Sequence, residues 1–210
     1  MNRPLLVAIV GGSGSGKTWL AERLAAALSP RAARLSLDDF YRDHSHLSSA
    51  RRERLNFDHP RAIHWRAVEM ALKQLLREGA ARIPCYDFGT HCRLARSTVL
   101  KAKPIILMEG LWLLQRRSVR ALFDFSIFLD CSGTLRLRRR LERDLRTRGR
   151  SEASVRKQFR QAVQPMHALY VAPQAKFANL VLESQCGRKQ VQRLAAVLRE
   201  RSTRGIRSII

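Results

Sequence analysis

Short apolar runs alternating with helix-period segments predict a three-layer α/β fold around a mostly parallel central sheet. Three observations support that prediction. Leu5 to Val10 is an uninterrupted apolar run, as a parallel strand buried on both faces requires. It leads directly into Gly11-Gly-Ser-Gly-Ser-Gly-Lys-Thr18, and Trp19 to Leu28 then places Leu20, Leu24, Ala27 and Leu28 at helical spacing.

The remaining elements follow in order. Ala33 to Leu37 is a second strand, ending at Asp38-Asp39-Phe40-Tyr41 and a polar stretch to Asn56. After the break at His59-Pro60, residues 61–78 form a helix whose buried stripe is Val68, Ala71, Leu72, Leu75 and Leu76, closed by Gly79. In residues 81–100, Ile83-Pro-Cys-Tyr86 and Ser97 to Leu100 flank a turn-rich centre, the pattern of a β-hairpin insertion. Ile105 to Met108 and Phe125 to Leu129 are central strands, followed by helices near 134–147 and 152–164, a short strand at Leu180 to Leu182 and a final helix near 188–202. With no repeat and no linker, residues 1–210 read as a single domain carrying a hairpin insertion at about 81–100 and an Arg-rich helical lid at about 134–160.

Composition limits the functional classes. A hydrophobic fraction of 45% and a charged fraction of 27% are those of a chain that buries a core. The net charge is +23, and 33 of the 40 Lys plus Arg are Arg, a surface that favours polyanions: nucleoside triphosphates, nucleic acid or an acidic membrane face. Arg-heavy usage also follows genome composition, so local motifs decide among these. The apolar run before Gly11 is shorter than a secretory signal, and no run approaches the roughly 20 residues that span a bilayer. The four cysteines contain no Cys-x-x-Cys pair. The expectation is a cytoplasmic protein with reduced thiols and no membrane partner.

Gly11-x-x-x-x-Gly16-Lys17-Thr18 fits the phosphate-loop pattern and lies between a strand and a helix, the context that separates it from a chance glycine turn. Gly11, Gly12, Ser13, Gly14, Ser15 and Gly16 let backbone N–H groups converge on phosphate oxygens, the helix N-terminus adds partial positive charge, and Lys17 neutralises the β- and γ-phosphates. The expected architecture is therefore a P-loop NTPase/kinase fold. Ligands of open α/β sheets gather beyond the C-terminal ends of strands, which brings Asp38 and Glu109 to the phosphates. Mg²⁺ takes only one or two protein ligands, for which Thr18 and Glu109 are suited. Asp38 remains for the acceptor, where a carboxylate takes the proton of an attacking hydroxyl. Taken singly, Asp38 or Asp39 also reads as a helix cap.

Between Arg136 and Arg150 there are eight Arg in fifteen residues. Leu137, Leu141 and Leu145 form the expected packing stripe, and Arg136, Arg139, Arg140 and Arg143 the expected binding face. Alone, this is a solvated basic helix. Beside a phosphate-transfer site it supplies guanidinium groups to the charge on the transferring group.

Taken together, the chain resembles the uridine kinase (uridine-cytidine kinase) family of P-loop kinases. The resemblance rests on Gly11-Gly-Ser-Gly-Ser-Gly-Lys-Thr18, Leu37-Asp-Asp-Phe-Tyr-Arg-Asp43, Asn56-Phe-Asp-His-Pro60, Pro84-Cys-Tyr-Asp-Phe88 with His91 and Arg93, Met108-Glu-Gly110, Arg139-Arg-Leu-Glu-Arg-Asp144, Arg148-Gly-Arg150 and Gln164-Pro-Met166, in family order. It implies transfer of the ATP γ-phosphate to the 5′-hydroxyl of uridine, and also cytidine, with Mg²⁺. By resemblance, Asp38 is the base, Asp58 holds the ribose hydroxyls, Tyr86 and His91 contact the pyrimidine, Arg140, Arg150 and Gln158 contact the nucleoside, Arg143 contacts phosphate, and the protein is a homo-oligomer. The chain departs from the family at Leu182-Glu-Ser-Gln-Cys-Gly187, where a Pro-Arg-Gly run is usual, and at Asn179, where Asp is common.

Read without that resemblance, Asp58 caps a helix start and Tyr86 packs the hairpin. His91 lies close to Cys85 and Cys92, but their spacing matches no common zinc pattern. Two other functions fit parts of the sequence. A phosphoribulokinase-like enzyme would use the same loop on a sugar phosphate, without need of a Tyr and a His placed for a base. A nucleic-acid-binding protein would use the basic surface, although no such module appears.

Overall fold

A computed structural model describes residues 3–147, 149–183 and 186–204. In chain order the elements are β1 (Leu5–Gly11), α1 (Lys17–Ala27), β2 (Ala32–Ser36), α2 (Ser49–Glu53), α3 (Trp65–Glu78), β3 (Ala80–Asp87), β4 (Cys92–Lys101), β5 (Ile105–Gly110), α4 (Arg117–Arg120), β6 (Phe125–Asp130), α5 (Gly133–Thr147), α6 (Glu152–Gln158), α7 (Gln164–Met166), β7 (Leu180–Glu183) and α8 (Arg188–Arg204). The central sheet runs β2-β5-β1-β6-β7 with every pairing parallel, while β3 and β4 form a separate antiparallel hairpin.

All of β1 is buried, and its side chains alternate between two cores. Leu6, Ala8 and Val10 face Val68, Leu72 and Leu75 of α3 together with Trp112. Leu5, Val7 and Ile9 face Leu20 and Leu24 of α1 and Leu194 and Leu198 of α8. The sheet is thus the middle of three layers, and its order puts the ends of β1, β2 and β5 side by side. In the register, Ser36 pairs with Glu109, and Glu109 with Ile9.

The helix expected from residue 61 begins later. A tight turn covers Pro60–Ala62, and α3 starts at Trp65, where His64 Nδ1 accepts the Ala67 amide at 3.1 Å. Gly79 ends it with φ 74°, a conformation glycine adopts without steric cost. The helix expected to stop at 164 instead continues to Phe177 as α6, a wide π turn at Phe159–Val163, α7, a second π turn at His167–Val171 and a 3-10 turn at Ala172–Phe177. Pro165 has no N–H to donate, and the widened turns on either side keep the chain helical around it.

The packing face of α5 is the reverse of the expectation. Arg136, Arg140 and Asp144 are 1%, 5% and 0% exposed, whereas Leu145 is 44% exposed and Leu137 and Leu141 are only half-buried. The helix lies on the glycine loop, a surface of carbonyls and hydroxyls that guanidinium groups satisfy and leucines do not. Arg148 of the Arg148-Gly-Arg150 run, and Ser184 and Gln185, fall outside the described residues.

Leu72 tests the sheet's α3 core. Leu72→Ala is expected to lower stability by about 2–5 kcal/mol, read as a lower urea midpoint with an unchanged m-value.

Candidate active site

The site is built where β1 ends. Between Gly11 and Lys17 the chain turns tightly, with the Ser15 amide donating to Gly12 O at 3.0 Å. Gly14 at φ 80° and Gly16 at φ 94° take a left-handed backbone conformation. No side chain caps α1, so its first-turn amides are left for an anion. α5 lies across this cradle: Arg139 donates to Ser15 O at 3.1 Å, Arg140 to Ser13 Oγ at 2.8 Å, and the Arg136 carbonyl packs on Gly14 where any Cβ would collide. Arg136 itself donates to Cys131 O at 3.2 Å and to Gln164 Oε1. His167 comes so close to Gly12 that a Cβ there would lie 2.7 Å from Nδ1.

Three acids sit at the strand ends. Glu109 is buried at the end of β5, where Thr18 Oγ1 donates to its Oε1 at 3.1 Å and Ser36 Oγ to the same oxygen at 3.2 Å. Its Oε2 stands 3.5 Å from the Lys17 ammonium and accepts no hydrogen bond among the described residues. The Thr18 hydroxyl and the Glu109 carboxylate, whose buried Oε2 keeps unused lone pairs, form a hard-oxygen pair beside the cradle of the kind Mg²⁺ takes. Asp38 lines the adjacent cleft with Lys17, and its amide donates to Ser36 Oγ at 3.2 Å. Ser36, not Asp38, therefore caps the turn at Leu37–Phe40. Burial, and then the negative charge of Asp38, push the Asp39 carboxyl up to about 6.

The cleft holds about 590 Å³ and brings together Ser13, Lys17, Asp38, Asp58, Tyr86, His91, Arg140, Arg143, Arg150 and Gln158, residues from seven separate stretches of sequence. Asp58 does not cap the turn after it, because His59 Nδ1 accepts the Arg61 amide at 3.0 Å. Burial raises the Asp58 carboxyl, and the Arg140, Arg150 and Arg143 charges act against that rise. Gln158 Oε1 accepts from Arg140 at 2.9 Å and also from Arg150, fixing both guanidinium groups. Arg143 donates to Asp144 Oδ1 at 2.8 Å.

One wall of the cleft is aromatic. Tyr41 and Tyr86 lie 5.2 Å apart by ring centroid, His91 stacks on Phe57 at 4.4 Å and 15°, and Phe88 meets Tyr86 edge-on at 5.3 Å. The Tyr86 hydroxyl is buried and has no hydrogen-bond partner among the described residues, and burial pushes its titration upward. No cluster of three His, Cys, Asp or Glu that could hold a metal ion occurs among the described residues.

Sequence reasoning missed Tyr41, Phe57 and Phe88 as wall residues, although each stands inside a run that carries the family resemblance. It also missed Asp144, which ends the Arg139–Asp144 run of the resemblance, and Trp112 and His167, which no local pattern marks. Asn179 is structural: its Oδ1 accepts the Ser126 amide at 2.9 Å and its own amide donates to Ser126 Oγ at 3.1 Å, tying β6 to the approach of β7.

An amide cradle at the end of a central parallel strand, a lysine, an acid on the neighbouring strand and a helical lid define a P-loop kinase. Residues 6–190 match the phosphoribulokinase/uridine kinase family. The uridine kinase of Clostridium perfringens is 35% identical over 183 residues, covering 87% of this chain and 88% of the relative. That of Clostridium novyi is 36% identical with the same coverage. Phosphoribulokinase from Rhodobacter spheroides shares the fold with a TM-score of 0.64 at 15% identity, over 88% of this chain and 73% of that one. The chain belongs to the phosphoribulokinase/uridine kinase family.

The environment of His167 yields a pH prediction. Burial and then the Arg136 charge hold its imidazole down to about 4, against a weaker opposing pull from Asp130. The folded state therefore binds fewer protons than the unfolded one between about pH 6.5 and pH 4, and stability contributed by the neutral ring is lost as pH falls through that window. Urea midpoints should fall more steeply from pH 7 to pH 4.5 in wild type than in His167→Asn, by up to about one proton per molecule. Parallel curves would mean that the ring titrates normally.

Proposed function

We propose that this protein is an ATP- and Mg²⁺-dependent nucleoside kinase that phosphorylates the 5′-hydroxyl of uridine and of cytidine. The observation behind this is the aromatic wall. Tyr41, Phe57, Tyr86, Phe88 and His91 share one cleft with Lys17 and Asp38, so a flat base and a phosphate-transfer centre are within the reach of one nucleoside. A bare sugar phosphate has no base for that wall, which favours a nucleoside over a phosphoribulokinase-like acceptor. The uridine kinase relatives support the same reading.

In this reading the glycine-loop amides and Lys17 hold the β- and γ-phosphates, and Arg143 adds charge from the lid. Thr18 and Glu109 would hold Mg²⁺, which supplies charge stabilisation at those phosphates. Asp38 accepts the proton of the 5′-hydroxyl as that oxygen attacks. Asp58 accepts hydrogen bonds from the two ribose hydroxyls, for which a carboxylate has two oxygens. The Tyr86 hydroxyl donates to the base and His91 contacts it, while Arg140, Arg150 and Gln158 close over the nucleoside. A lid seated on the cradle keeps water from the γ-phosphate and so limits ATP hydrolysis.

Monophosphate formation from a nucleoside panel with ATP and Mg²⁺ tests this. Uridine and cytidine should be turned over, and Asp38→Asn should lower kcat about 10²–10⁴-fold while leaving the folded state intact. Tyr86→Ala and His91→Ala should raise KM for uridine more than KM for ATP. A wild type inert towards every nucleoside would overturn the assignment.

A further inference from the structure

A small niche shares Ser13, Asp58 and Leu111 with the main cleft and is lined also by Trp112, His167 and Val171 among others. It holds about 10 Å³, close to the least space one water needs. Two polar atoms of its walls are buried without a hydrogen-bond partner among the described residues: the indole Nε1–H of Trp112 and Nδ1 of His167. Trp112 is fully buried, and a buried N–H left unpaired is costly enough that native structures seldom tolerate it.

We infer that this niche is a binding site for one ordered water, and that through it Trp112 acts as a positioning residue for Asp58. The donor and acceptor inventory closes. A water there accepts from Trp112 Nε1–H and donates to the Asp58 carboxylate and to the lone pair of a neutral His167 Nδ1. Ser13 Oγ already accepts from Arg140 at 2.8 Å, so its own O–H is free to donate to the second lone pair of the water. The depressed basicity of His167 agrees with an imidazole that stays an acceptor. The water would then join the phosphate loop, through Ser13, to the carboxylate assigned above to the ribose, with His167 completing the set. Water-bridged contacts of this kind are nearly as favourable as direct ones.

The role of Asp58 in this inference rests on the nucleoside reading, but the water itself does not, so two measurements separate them. The chain has three tryptophans. Trp19 is exposed and the Trp65 indole donates to Pro60 O at 2.9 Å, which leaves Trp112 as the indole facing the niche. In NMR spectra, with the peak assigned through Trp112→Phe, the Trp112 indole proton should exchange slowly with bulk solvent yet show a direct cross-peak to a long-lived water. A slowly exchanging indole with no water cross-peak would overturn the hydration site.

The positioning role is read from kinetics. Trp112→Phe keeps a ring and removes the donor. KM for uridine should rise about fivefold, the size of one hydrogen bond, with kcat within about twofold, and the preference for uridine over 2′-deoxyuridine should shrink. His167→Leu, which leaves the indole in place, should act in the same direction. His167→Asn, which restores an acceptor near Nδ1, should recover the preference. If either donor or acceptor loss leaves the ribose preference unchanged, Trp112 does not act through Asp58. If wild type phosphorylates no nucleoside, the reading of Asp58 falls, and the water cross-peak alone decides the hydration site.

Discussion

The structure of the site depends on a stripe of charge buried between the lid and the glycine loop. Arg136, Arg140 and Asp144 recur every four residues along α5 and are almost wholly removed from water. Burying a guanidinium is unfavourable unless its donors are satisfied, and burial lowers the basicity of both arginines. Compensation is partial and comes from Cys131 O, Gln164 Oε1, Ser13 Oγ, Gln158 Oε1 and the ion pair with Asp144, while Arg136 Nη1 and Arg140 Nε donate no hydrogen bond among the described residues. Lid position and cleft shape are therefore set by one network. Removing any acceptor strands a buried charge, so the lid can leave the loop only by returning those arginines to water together.

The same network accounts for only part of the positive charge. Of the 40 Lys and Arg, the few beside the cradle and Asp58 have a local role, and nothing in the structure explains the excess on the rest of the surface. Exposed pairs such as Arg156 with Glu152 and Lys73 with Glu69 join residues four apart on a helix, where solvent screening leaves an ion pair little effect on stability.

Much of the fold was legible because a parallel strand buried on both faces leaves a continuous apolar run, as β1, β5 and β6 do. The cradle was legible because its glycines and lysine are contiguous. Asp38 and Glu109 followed from the rule that ligands sit at strand ends. What stayed hidden depends on packing. The leucines of α5 have the spacing of a core face, but the surface beneath them is polar, and only the fold reveals that arginines pack there. The helical run past Pro165 was hidden because proline normally ends a helix, and π turns leave no composition signal. Trp112 and His167 are more than fifty residues from Asp58 in sequence and line one niche with it only in the folded chain.

Selectivity in such a cleft should come from its polar groups more than from its aromatic wall. In the proposed reading a ring would stack on Tyr86 or on the Phe57–His91 pair whichever pyrimidine it is, so that wall would select for flatness and size. Asp58 imposes a stricter demand. Burial alone would favour its protonated form, which has one fewer acceptor, but Arg140, Arg150 and Arg143 oppose that shift. Those arginines belong to the lid, and two of them are held by Gln158 from the next helix. On the proposed assignment of Asp58 to the ribose, arginines of the lid that oppose that shift would couple recognition of two vicinal hydroxyls to a seated lid. An acceptor lacking one hydroxyl would leave a buried carboxylate oxygen unpaired at the moment of closure, and that penalty discriminates more sharply than any loss of stacking.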